Sequence, residues 1–232
     1  MAVAHRIGGA ICAVGYALQR SKIGFLRLSQ GLLLLTLVAS AYSGLRWWLD
    51  GSAWPHVAVI SLCLLLVCAL LWARQRGYLV FLPSTAPAPS STVLRPEQKL
   101  LLRGCGVFEV DKARRYLVEV PVVFWTTRLD EHIVAAKVRA PSLLGIVGVP
   151  SAERGWWYLF LEPRRVVEIV PGWLHFALRV RPAVRVAYRT DKSREVVYVS
   201  CGEVAEQALL LHELESKVEQ ARGRHEKRPG SG

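Results

Sequence analysis

Three groups of residues in the chain have side chains suited to chemistry or to ligand recognition. Asp130-Glu131-His132 sets two carboxylates beside an imidazole, the ingredients of general acid–base catalysis. In a strand, however, adjacent side chains alternate between faces, so these three do not converge on one substrate. Arg179, Arg181, Arg185 and Arg189 form a second group. Alternation puts each pair on one face of its strand, and the Arg181-Pro182 link makes the two strands neighbours, giving a basic surface for lipid phosphates or an acidic partner. The alternative is a solubilising outer face partly paired with Glu168 or Glu195. The five cysteines, Cys12, Cys63, Cys68, Cys105 and Cys201, contain no CxxC pair, and the six histidines are scattered. That spacing does not suit a zinc site and points to reduced structural thiols. GxSxG, HExxH, P-loop and GxGxxG patterns are all missing, so neither catalysis nor a cofactor is expected.

The elements that would position these groups begin with a membrane anchor. Residues 28–49 and 55–73 are two apolar runs, each close to the roughly 20 residues that a hydrocarbon core requires. Trp47-Trp48, Trp54 and Trp72 stand at their ends, as interfacial rings do. Arg20, Lys22 and Arg27 precede the first run, and Arg74 and Arg76 follow the second; the loop between holds only Arg46 and Asp50. Lys and Arg remain on the cytoplasmic side, so both flanks are expected inside and the loop outside. Gly31, Ala39, Ser40, Ser43 and Gly44 in the first run offer a small-residue seam for close helix packing. Residues 7–18 are a weaker apolar stretch. They read as an interfacial helix, a short third span, or a signal-peptide core with Gly15-Tyr16-Ala17 as its cleavage site.

The net charge is +12 and the mean hydropathy +0.28, which fits a small anchor plus one domain of ordinary size. Residues 1–94 hold seven Lys/Arg against one acid, so half the excess charge reports membrane topology. No nucleic-acid partner is expected, because the remaining domain is only mildly basic and lacks a recognition motif.

Residues 1–27 form the N-terminal segment, 28–76 the hairpin, and 77–94 a Pro/Ser/Ala linker. Beyond it, residues 95–222 read as strand after strand, with Pro171-Gly172 and Arg181-Pro182 as short connections. Such spacing predicts a mostly antiparallel barrel or sandwich. One helix closes it. Ser200 and Glu203 have the spacing of a capping box, Val204, Ala208, Leu211, Leu214 and Val218 form its apolar stripe, and Gly223 is a candidate C-cap. The segment Leu143–Val149 is apolar and glycine-punctuated, suited to burial, to covering a barrel mouth or to dipping into a membrane. If Trp156-Trp157 lies in a strand, one of the pair faces outward. Residues 223–232 are expected to be a disordered basic tail.

A run of strands over residues 95–222 closed by one amphipathic helix resembles the pleckstrin-homology-like (PH-like) fold. Two spans followed by such a domain are similar to small bacterial membrane proteins carrying PH-like domains. The resemblance implies an α+β membrane protein of the bacterial inner membrane with its main domain cytoplasmic. It also implies a candidate phosphoinositide site at the first hairpin, at Lys112, Arg114 and Arg115. The expected role is a non-catalytic scaffold or accessory subunit that binds a membrane-protein partner or a second copy of itself. The alternative is anionic-lipid docking through the Arg face, and an unrecognised enzyme comes third.

Overall fold

The computed structural model describes residues 2–23, 26–50, 54–110, 113–127, 131–138, 155–191 and 193–226. The chain divides into two compact units, one built around Met1–Val80 and the other around Phe81–Arg139, Ser151–His175 and Arg179–Gly232.

In the first unit, α1 (Ala2–Arg20) leads through the short paired strands β1 (Lys22–Ile23) and β2 (Leu26–Arg27) to α2 (Leu28–Asp50) and α3 (Trp54–Gln75). Helices α2 and α3 are both long and apolar enough to cross a membrane. Their leucines, among them Leu34, Leu35, Leu37, Leu62, Leu64 and Leu65, stay exposed in the folded chain. Helix α3 stops in a Schellman motif. Gly77 (φ 70°) donates to Arg74 C=O at 3.1 Å, and Tyr78 donates to Ala73 C=O at 2.8 Å. In the small-residue seam of α2, Ser43 is buried and Gly31, Ala39, Ser40 and Gly44 are half-buried. A methyl group on Gly31 or Gly44 would meet nothing within 4 Å, whereas Gly8, Gly9, Cys12 and Gly15 of α1 are buried. Gly8 and Gly15 lie against Trp72 and Ala73 of α3.

The second unit is an eight-stranded open sheet. Its strands are β3 (Val80–Pro83), β4 (Leu100–Val110), β5 (Ala113–Thr126), β6 (His132–Val138), β7 (Gly155–Leu161), β8 (Val166–Phe176), β9 (Arg179–Arg189) and β10 (Arg194–Ser200). Their order is β3-β8-β9-β10-β4-β5-β6-β7, so β3 and β7 are edges and the expected closed barrel or sandwich does not form. A bulge coils the sheet midway: Gly104 faces Val120 but Gly106 faces Leu117, and the extra residue on β5 is taken up where Glu119 adopts φ 55°. Helix α4 (Val204–Glu226) follows β10 and packs on one face. The buried Gln207 side chain donates to Gly172 C=O (3.0 Å) and Ala183 C=O (2.8 Å), tying α4 to β8 and β9. Phe124, Val134, Leu161, Val184, Val186, Val197 and Val199 form the core on that face.

Four local expectations change. The linker is shorter than residues 77–94, because β3 enters the sheet within it, and Leu94 is buried with its N–H bonded to Glu213 Oε1 at 2.6 Å. Pro171-Gly172 and Arg181-Pro182 are not turns; both lie inside strands, and the reversal falls at Ala177-Leu178, with φ 48° and 66°. Ser200 is the end of β10 and donates to Arg103 C=O (3.1 Å); the helix start is held by Glu206, which reaches back to Gly202 N–H at 2.7 Å. In α4, Ala208, Leu211, Leu214 and Val218 are buried as the stripe requires, but Val204 is exposed and the helix continues through Gly223. The segment Leu143–Val149 and the tail beyond Glu226 lie outside the described residues.

Candidate functional site

The four arginines lie on one strand, β9, rather than on two. Arg179, Arg181, Arg185 and Arg189 share a parity, with the buried Ala183 and Ala187 between them. Arg179 and Arg189 are exposed, and Arg189 stands directly opposite Arg194 of β10. The centre of the cluster is engaged. Glu168 accepts from Arg185 at 2.6 Å and from Arg194 at 2.7 Å, and the Arg185 guanidinium lies over the Phe81 ring at 5.8 Å. Glu168 is thus the paired acid. Glu195 points to the core instead, where it accepts from Tyr188 OH at 2.9 Å. Burial first, and the Glu195 contact second, push the Tyr188 phenol far above its ordinary value.

At the β4–β5 hairpin, Arg114 is in register with Glu109 and Arg115 with Phe108. Lys112 lies outside the described residues.

His132, the chemically suggestive member of its cluster, is a buried structural group. Its Nε2 lies 3.1 Å from Glu213 C=O and its Nδ1 3.2 Å from Thr126 Oγ1. A carbonyl only accepts, so Nε2 carries a proton and donates it to Glu213 C=O. Glu131 is held to Thr127 through its backbone, and Asp130 lies outside the described residues. Among the described residues there is no cluster of three His, Cys, Asp or Glu that could hold a metal.

Cys105 and Cys201 are buried and free, and burial pushes each thiol up to about 12. Such groups remain protonated and poorly nucleophilic at neutral pH. In the unfolded chain their pKa returns to about 8.5. The folded form therefore binds the extra protons above that pH, and stability falls as pH rises from about 9 towards 12. Chemical denaturation of the full-length protein in detergent is expected to show this loss. Cys105→Ala with Cys201→Ala makes it shallower, with Tyr188 and Tyr198, whose phenols burial also raises, supplying the remainder. A pH-independent midpoint from 8 to 11 would contradict the assignment.

The most distinctive surface is aromatic. Trp156, Tyr158 and Phe160 alternate along β7 and are 53%, 56% and 54% exposed, while Leu161 is in the core. Successive rings stack at 6.5 Å. Register carries the same side of the sheet across three more strands: Phe160 opposes Ile133, which opposes Trp125; Tyr158 opposes the buried Ala135, which opposes Val123, which opposes Leu101. Leu101 is 80% exposed, and the Lys99 ammonium lies 5.4 Å from the Trp125 ring centre. The period-two placement of Trp, Tyr and Phe in G-W-W-Y-L-F-L carries this signal in the sequence, beyond the single outward Trp expected. No family model and no curated protein matches the chain.

Proposed function

We propose that the chain is a non-catalytic scaffold or accessory subunit of a bacterial inner membrane. Helices α2 and α3 cross the bilayer, and the sheet domain stands on the cytoplasmic side as a PH-like module that binds a partner protein through its aromatic face. The exposed ladder of Trp156, Tyr158 and Phe160 with Leu101 carries this reading. Large contiguous apolar patches on folded domains mark interaction sites, and aromatic rings dominate interface energetics. The basic flanks of the two apolar helices support the orientation, and the order of strands followed by a closing helix supports the PH-like comparison.

Anionic-lipid docking through Arg179, Arg181, Arg185 and Arg189 is the second reading. The exposure of Arg179 and Arg189 favours it, and the pairing of Arg185 with Glu168 weakens it.

The test is purification of tagged full-length protein in mild detergent beside a Trp156→Ser, Tyr158→Ser, Phe160→Ser variant. These exposed positions leave the fold intact, so the circular dichroism is expected to match. Losing about 3 kcal/mol of hot-spot contact lowers recovery of a stoichiometric partner by more than tenfold. Equal recovery by both proteins would remove the aromatic face from the account.

A further inference from the structure

Helix α1 meets one end of α2 and α3, and its Gly9 C=O also accepts from Ala177 N–H at 3.2 Å. Gly8 faces the Trp72 ring and Val80, Gly15 faces Ala73 and Tyr78, and Tyr16 packs its ring on Tyr78 at 5.8 Å. Gln19 accepts from Ser29 Oγ at 2.9 Å. These contacts run from Gly8 to Gln19, about 16 Å along the helix axis. Apart from Ala177, the residues they touch belong to the last turn of α3, to the segment just after it, or to the first turn of α2. A helix crossing a bilayer beside α2 and α3 would reach mid-span residues over that distance, since the hydrocarbon core is about 30 Å thick.

The far side of α1 is apolar. Val3, Ile7 and Val14 are 70%, 53% and 59% exposed, and spacings of four and seven residues set them on one face. Cations cluster at the same level: Arg20 lies over the Tyr16 ring at 5.6 Å and Arg76 over the Trp72 ring at 5.7 Å.

We infer that α1 is an interfacial helix that lies across the cytoplasmic ends of α2 and α3, with Val3, Ile7 and Val14 seated at the acyl–headgroup boundary of the bilayer. The inference rests on the reading that α2 and α3 span. The occupant is lipid because the stripe lies level with the ends of two bilayer-length apolar helices and beside cations suited to anionic headgroups. The N-terminus then stays on the same side as the sheet domain, and the chain spans twice rather than three times.

The test places a nitroxide at Val3→Cys, Ile7→Cys, Val14→Cys or Leu64→Cys, one at a time. The background is a full-length chain without its native cysteines, in phosphatidylethanolamine/phosphatidylglycerol nanodiscs. Accessibility to oxygen and to a nickel chelate reports depth. The expected result is one shared shallow depth, roughly 5–10 Å into the boundary, for the three α1 labels, with Leu64 at the bilayer centre. Depth that changes progressively from position 3 to 14 would show a spanning helix and overturn the inference. So would nickel access at all three positions while Leu64 is deep. Nickel access at Leu64 would instead remove the spanning reading, and the inference with it. Protease digestion of spheroplasts gives an independent readout with native cysteines: N- and C-terminal epitopes are both expected to be protected, and loss of the N-terminal epitope alone contradicts the arrangement.

Discussion

Gly172→Ala is expected to destabilise the sheet domain by about 3 kcal/mol, or to detach β3 from β8. A Cβ at this position would stand 2.3 Å from Leu82 C=O and 2.5 Å from the Phe81 ring, and backbone cannot yield as a flexible side chain does. The close approach has a purpose in the fold. Phe81 packs against Tyr198 at 5.3 Å and receives Arg185 on its ring, so losing β3 would also strip that ring from Arg185 and leave its ion pair with Glu168 alone. Chemical denaturation of the full-length protein, followed by tyrosine and tryptophan near-ultraviolet dichroism, measures the effect. Gly223→Ala is the control. It lies in α4, where an added methyl meets nothing within 4 Å, and is expected to stabilise by up to about 1 kcal/mol. Equal stability of wild type and Gly172→Ala would show that β3 does not need that contact.

Leu64→Arg with Leu65→Arg is expected to remove the protein from membranes when placed in a background that carries Leu37→Arg and Val38→Arg, so that α2 cannot anchor the chain alone. Leu64 and Leu65 are exposed near the middle of α3, where each replacement costs about 3 kcal/mol of insertion free energy, about 6 kcal/mol together. Carbonate extraction of membranes is the measurement. The wild type should remain in the pellet and the double variant in that background should move to the soluble or aggregated fraction. Leu101→Arg, on the exposed face of the sheet, should stay in the pellet with the wild type. A double variant that pellets as an integral protein in that background would contradict the assignment of α3 as a span.

The legible parts of this fold follow from strong periodicity. The two apolar helices agree with the runs at 28–49 and 55–73 to within two residues, because length and composition leave few alternatives. The strands from Leu100 to Val138 and at Gly155–Leu161 and Arg194–Ser200 match their alternating patterns closely. What sequence reasoning missed depends on contacts distant along the chain. Pro171-Gly172 has the chemistry of a turn, but Gly172 is small because β3 passes beside it. Ala177-Leu178, with neither Gly nor Asn, gives no local sign of its left-handed turn. Placing the turn at Arg181-Pro182 split the arginines between two strands, and their pairing with Glu168 became visible only once β8 and β9 were continuous. Closure into a barrel could not be read from strand number, since it depends on whether the two edge strands meet. The Trp156, Tyr158, Phe160 face was only partly visible: Trp156-Trp157 announced one outward ring, while the register that joins it to Trp125 and Leu101 comes from long-range pairing.

A photoreactive phenylalanine analogue at position 158, compared with the same group at position 189, tests the central claim most directly. Both sites are exposed, one on the aromatic face and one at the end of the arginine row. Irradiation of intact cells expressing the full-length chain is expected to give a discrete protein adduct from position 158 and none from 189. Adducts from 189 alone, or lipid adducts with no protein at 158, would contradict a protein-binding aromatic face and leave anionic-lipid docking as the better account.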